Sequence, residues 1–325
     1  MSELIQNYFL FLAKTLTILI SLLVLIASRM AFSQKDQSAH TLSIKSWSND
    51  HTNDISLIMK TTDPKQCKKF TKQLKKDLKS LDKKLFIIDF NGDIMAKEVE
   101  GLRRIIDCLI PLVKNQDQVL VRLDSKGGSV PHYGLAAVQL SRLRQANIPL
   151  TVCVDKIAAS GGYLMAACAN KITANPFSLI GSIGVVMNMP NVHKLLKKND
   201  IDFHQVTAGK YKRTLTPFTP ATKEASNKVQ KDLDMIHHQF KHFLSKYRPH
   251  LDIDAVSTGE HWIGSDAIGL GLIDELKCSD DIIFESKSTH QIYHITCTKS
   301  KSFLEKIVAP MSQLYSKGME WFHFD

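Results

Sequence analysis

The sequence predicts an α/β protein built on a mostly parallel sheet. Three observations lead there. Short apolar runs recur at residues 85–90 (LFIIDF), 118–123 (QVLVRL) and 149–154 (PLTVCV). Patterns of helical period separate them, over residues 97–113 and 135–144. Glycine-rich turns follow two of the runs, at 124–129 and 158–163. Strands alternating with helices bury a parallel sheet between helical layers.

The elements follow in order. Residues 15–28 (TLTILISLLVLIAS) carry no charge, and with 9–13 across Lys14 the apolar stretch approaches the roughly twenty residues that a bilayer requires. Lys14 can snorkel from such a span to a headgroup. Ala31-Phe32-Ser33 offers a small-x-small cleavage site, but Arg29 interrupts the approach to it, so an uncleaved anchor over residues 1–33 is expected. Residues 34–64 are polar and read as a linker. Residues 65–84 hold nine lysines against Asp77 and Asp82, while Phe70, Leu74, Leu78 and Leu81 recur at helical spacing. That is an amphipathic helix with a solvated lysine face, open to anionic headgroups nearby. It accounts for most of the formal charge of +10, and no nucleic-acid recognition motif accompanies it.

From residue 85 one catalytic domain is expected to run to 280. A helix begins at Ser160, further short strands fall at 185–187 and 204–206, one long helix covers 223–247, and 256–276 closes the domain. Residues 281–325 form a C-terminal extension. The six cysteines are scattered without metal-ligand spacing, and Cys108, Cys153 and Cys168 read as small core residues. No cofactor or metal is expected.

The chemistry lies in the two turns. In parallel α/β architecture such turns gather at the carboxyl ends of the strands, where ligands bind. A serine opening a helix there, Ser160, sits near free backbone N–H groups, and Gly128 and Gly161 could each aim one at an oxyanion. A phosphate loop is excluded because no GK[ST] ends either turn, and the GxSxG elbow is absent. Asp124 at a strand end is a turn former, His132 has no triad geometry, the pair His237-His238 reads as surface, and Gly269, Gly271, Asp274 and Glu275 read as helix termination and packing.

VDKIAASGGYLMAACANKITANPFSLIGSIGVV, preceded by VLVRLDSKGGSV and followed by TAGKYKRTLTPF and GEHWIGSDAIGLGLIDEL, resembles the signal peptide peptidase A family of bacterial serine peptidases, in its SohB type with one catalytic domain. The resemblance covers about residues 85–276. It implies the Clp protease/crotonase fold, with an N-terminal transmembrane helix and helical appendages. It also implies Ser160 as nucleophile, Lys212 as general base, Ser182 orienting that lysine, and the Gly128 and Gly161 amides as the oxyanion hole. Lys210 occupies the variable position of the lysine motif. Lys126 stands where the family commonly has proline before the glycine pair. Further implications are peptide substrates such as released signal peptides, homo-oligomers in some of which serine and lysine come from neighbouring subunits, and attachment to the inner membrane with a periplasmic body. A cytoplasmic body is what the weak charge bias would give instead. The chemistry fits: a serine needs a base, and a lysine near its ordinary pKa of about 10.4 serves only when desolvated. A crotonase-like acyl-CoA enzyme shares the two oxyanion donors but needs no Ser–Lys pair. A catalytically inactive membrane scaffold would keep the fold without hydrolysis.

Overall fold

The computed structural model describes residues 2–33, 40–114 and 116–299. Residues Ile44 to Thr296 form one compact unit, and those before and after it group apart. In the outer group, helix α1 (Ser2–Ser33) carries exposed Phe9, Leu10, Phe11, Leu16, Ile18 and Leu22. Thr15, Thr17 and Ser21 turn their hydroxyls back onto carbonyls one turn earlier, so these polar groups are satisfied within the helix. Among the described residues no helix is long and apolar enough to cross a membrane. The expected span runs through Ile20 and residues 23–33, whose side chains lie outside the described ones.

The stretch expected as a linker is structured instead. Beyond residues 34–39, which lie outside the described ones, it holds β1 (His40–Ser46) and α2 (Trp47–Thr62). The Ser46 hydroxyl caps α2 by accepting from Asn49 N–H, and the Asp63 carboxylate caps α3 (Pro64–Lys79) by accepting from Gln66 N–H. Trp47 stacks on His51 at a centroid separation of 4.7 Å, and only Ser48 and Thr52 of α2 are fully buried. A helix that fully buries only two small polar side chains leaves a polar sequence that mimics a linker.

The core follows the expected alternation. It runs through β2 (Lys83–Gly92), α4 (Val99–Leu112), β3 (Gln118–Ser125), α5 (Val130–Gln145) and β4 (Leu150–Val154). Then come β5 (Ile157–Ala159), α6 (Gly161–Ala166), β6 (Lys171–Ala174) and β7 (Leu179–Gly181). After α7 (His193–Lys198) and the long α8 (Lys223–Tyr247), the chain forms α9 (Ile253–Val256), β8 (His261–Ile263), α10 (Gly264–Ala267) and β9 (Glu275–Leu276). The residues 185–187 and 204–206, expected as strands, are irregular. Val186 and Val206 are 78% and 97% exposed, and without a partner strand an apolar triplet has no ladder to join.

The sheet order is β10-β2-β3-β4-β6-β9, with parallel pairing throughout. β5 pairs in parallel with β3 and β7, and β8 runs antiparallel to β7. The C-terminal stretch is not a mere extension: after α11 (Ser279–Ser286), β10 (His290–Lys299) lies beside β2 with Ile292 opposite Leu85. Residues 300–325 lie outside the described ones. On one face Leu85, Ile87, Leu120, Cys153, Ile283 and Ile292 form a buried cluster against which Trp47 packs. Leu102, Ile105, Ile106 and Leu109 of α4 and Ala136, Ala137, Leu140 and Leu143 of α5 are buried as well. Cys153 and Cys168 are core residues, whereas Cys108 points outward from α4.

Candidate active site

β3 and β5 are neighbours, with Ser125 opposite Ala158. Their carboxyl ends therefore bring the 124–129 turn against the start of α6. Ser160 occupies the N-cap of α6 at φ 52° and ψ −119°, a conformation that side chains with a Cβ rarely adopt. Its N–H donates to Gly181 C=O at 2.7 Å and its C=O accepts from Leu164 N–H at 3.0 Å, so both peptide units are clamped.

The two glycines are required by close approach. A Cβ on Gly161 would lie 2.5 Å from Cγ of the Tyr133 ring, and one on Gly128 would lie 2.2 Å from Ile94 C=O. Tyr133 is buried, which raises its pKa, and its hydroxyl donates to Asp93 C=O at 2.7 Å. With that proton committed, the 2.5 Å contact to Ser125 Oγ has the serine donating. Ser125 in turn accepts from Gly127 N–H at 3.1 Å. A directed chain of hydrogen bonds thus runs from the glycine turn into the core. The Gly128 N–H has no hydrogen-bond partner among the described residues, and Gly161 is the first residue of α6, where amides lack intrahelical acceptors.

Two cavities meet at Ser160, Gly128, Gly184 and Val185. One, of about 490 Å³, is apolar, walled by Val138, Leu164 and, from α8, Met235, Ile236, Phe240 and Phe243. The other, of about 650 Å³, is polar, and Lys126, Ser182, Gln230, Asp234 and His237 line it. Helix α8 therefore faces both, with its apolar residues toward one and its polar residues toward the other. Ser182 also has positive φ, 50°, and its N–H donates to Glu260 C=O at 2.6 Å. Among the described residues no group of three or more His, Cys, Asp or Glu is placed to hold a metal ion.

The structure brings Ser160, Ser182, Gly128 and Gly161 together and leaves Lys212 apart. Lys212 is exposed in the turn after Gly209, with its N–H on Gly209 C=O at 3.1 Å, and it lines neither cavity. Lys210 is held elsewhere, 2.8 Å from Glu224 of α8, and the hydrogen bond to that carboxylate raises its pKa. Asp124 pairs with Lys156, Asp274 with the buried Arg248, and His132 Nδ1 meets Ser129 Oγ at 2.8 Å. These are structural roles. His237, read from the sequence as surface, instead has a buried Nε2 with no partner among the described residues, and the side chain lines the polar cavity. The only sequence signal was its position three residues after Asp234 and seven after Gln230, one face of a helix.

The fold and the glycine-flanked turns at Ser160 suit a peptidase of this class: the chain belongs to peptidase family S49. Residues 142–292 match Peptidase family S49, and residues 3–140 match Peptidase family S49 N-terminal. Among relatives, the chain is 41% identical over 326 residues to the probable protease SohB of Haemophilus influenzae, covering 94% of this chain and 92% of that one. It is 46% identical over 301 residues to the probable protease SohB of Buchnera aphidicola subsp. Schlechtendalia chinensis, covering 86% and 99%. Identity to a putative signal peptide peptidase SppA of Enterococcus faecium is 26% over 206 residues, covering 62% and 59%.

Proposed function

We propose that this chain is a serine endopeptidase attached to a bacterial inner membrane, with Ser160 as nucleophile and Lys212 as general base. The observation that carries the reading is Ser160 itself. It sits where an apolar and a polar cavity meet, beside the amides of Gly128 and Gly161. Lys212 Nζ takes the hydroxyl proton as Oγ bonds to the substrate carbonyl carbon, and the two amides receive the resulting oxyanion. Collapse breaks the C–N bond, and the leaving amine takes the proton from the lysine ammonium. Water then attacks the acyl-enzyme by the same route, releasing a carboxylate and restoring Ser160. No cofactor enters. The backbone of residues 184–189, unpaired among the described residues, offers an edge for an extended peptide, and the apolar cavity suits a large apolar side chain, as released signal peptides and membrane-derived fragments supply.

An exposed lysine stays protonated, so the base must be desolvated in the working enzyme. The segment around Lys212 exposes Val206, Tyr211 and Phe218, and covering by a second copy would remove that face from water. A homo-oligomer would then bring Lys212 to a serine and fix it through Ser182. Attachment is through α1, whose exposed apolar residues and internally bonded hydroxyls suit lipid, with the catalytic body periplasmic. A serine-reactive phosphonate should label the protein at Ser160 and stop peptide hydrolysis. Labelling that survives Ser160→Ala would sink the mechanism, and release of full-length protein by carbonate would sink the attachment.

A further inference from the structure

Helix α3 carries lysines at 65, 68, 69, 72, 75, 76 and 79, a run of i, i+3, i+4 and i+7 steps. At about 100° per residue they occupy one stripe roughly a third of the helix wide. Leu74 and Leu78 lie on the other side, where they share a cavity with Trp47 and Ile55 of α2. The lysine stripe instead lines a groove of about 810 Å³ with Ser56 and Lys60 of α2. Among the described residues none of these lysines has a carboxylate partner. Asp77, the one acid of the helix, accepts from Gln73 instead. Like charges at i+3 and i+4 repel and weaken a helix, so this spacing favours contact with an extended array of negative charge.

Leu57 and Ile58 follow Ser56 on α2 and are 66% and 63% exposed. Lysines on α3 together with exposed aliphatic side chains on α2 fit the boundary between anionic headgroups and acyl chains. Nucleic acid would leave Leu57 and Ile58 without an apolar partner, and the two helices hold no arginine to grip phosphates bidentately.

We propose that the α2–α3 hairpin is a docking surface for an anionic phospholipid bilayer, with the lysine stripe over the headgroups and Leu57 and Ile58 in the interface. This rests on the reading that α1 attaches the chain to a membrane. The hairpin would hold the body against the bilayer at a charge-dependent setting, close to the source of membrane-derived peptides.

The test is hydrogen exchange of the full chain in nanodiscs of phosphatidylcholine alone and of phosphatidylcholine with phosphatidylglycerol. Peptides spanning residues 56–79 should exchange more slowly in the anionic discs only, and high salt should remove the difference. Changing Lys68, Lys72, Lys75 and Lys79 to Gln should abolish the protection, each substitution weakening it about fivefold. Glutamine keeps helix propensity, so α3 of the variant in neutral discs should exchange no faster than wild type. Equal protection in neutral and anionic discs overturns the proposal. So does protection by soluble RNA with none by phosphatidylglycerol. If the chain fails to stay in neutral discs yet shows the anionic protection, the attachment reading falls and the hairpin proposal stands.

Discussion

Replacing Ser160 by glycine should make the protein more stable than replacing it by alanine, although both changes should abolish hydrolysis. The cause is the backbone. Ser160 holds φ 52° and ψ −119°, pinned by its N–H on Gly181 and its C=O under Leu164 N–H. A residue with a Cβ in such a region costs about 1–3 kcal/mol. Alanine keeps the Cβ and the strain, while glycine releases it at an entropic cost of about 0.5–1 kcal/mol in the unfolded chain. Glycine should therefore gain about 1 kcal/mol over alanine, or about 2–4 °C in the midpoint of unfolding for a domain of this size. Ser141, buried within α5 at ordinary helical angles, supplies the control. There glycine should be the worse substitution, by about 1 kcal/mol. Thermal unfolding of the four variants reads the result. A Ser160→Gly protein that melts at or below Ser160→Ala would refute the claim that Ser160 is held under strain.

Lys212→Ala should lose as much peptidase activity as Ser160→Ala, whereas Lys210→Ala, which frees Glu224 and uncovers the Tyr211 ring, should keep most of it. Lys212→Arg should fail as well, because guanidinium does not give up its proton. A Cβ on Gly134 meets nothing within 4 Å, and the residue lines the apolar cavity. Gly134→Leu should therefore fold, and in a peptide series it should lower kcat/KM for large apolar side chains far more than for alanine. Burial would raise the Asp89 pKa, but hydrogen bonds from His294 and Arg122 hold it at about 2 against an ordinary 3.8. That lowered pKa contributes about 2 kcal/mol of stability above pH ~4, lost as the pH falls toward 2. Asp89→Asn should be less stable at neutral pH and should show a flatter acid limb in denaturant titrations.

Elements whose signal is their own burial were legible in the sequence. The runs at 85–90, 118–123 and 149–154 are apolar because parallel strands are covered on both faces, and they became β2, β3 and β4. The long helix needed no partner to announce itself, and α8 spans Lys223–Tyr247 as expected. The turns at Gly128 and Gly161 were legible because a turn that admits another backbone must spell itself in glycine. Polar helices and unpaired triplets were not legible. α2 buries little, and the runs at 185–187 and 204–206 have strand chemistry without a strand to meet.

What the sequence alone determined is the strand–helix order, the glycine-flanked turn at Ser160 and the lysine stripe, since each depends on residues near one another in the chain. What only the tertiary structure decided is what faces Ser160. α8 comes to lie over Ser160 with Phe240 on one side and His237 on the other, and β10 returns from a distant part of the chain to lie beside β2. Such contacts between distant segments are set by which surfaces bury best together, and no local pattern encodes them. Lys212 shows the same limit. Its motif stands in the chain, yet in this single copy the residue is exposed, and whatever would cover it lies outside its own loop.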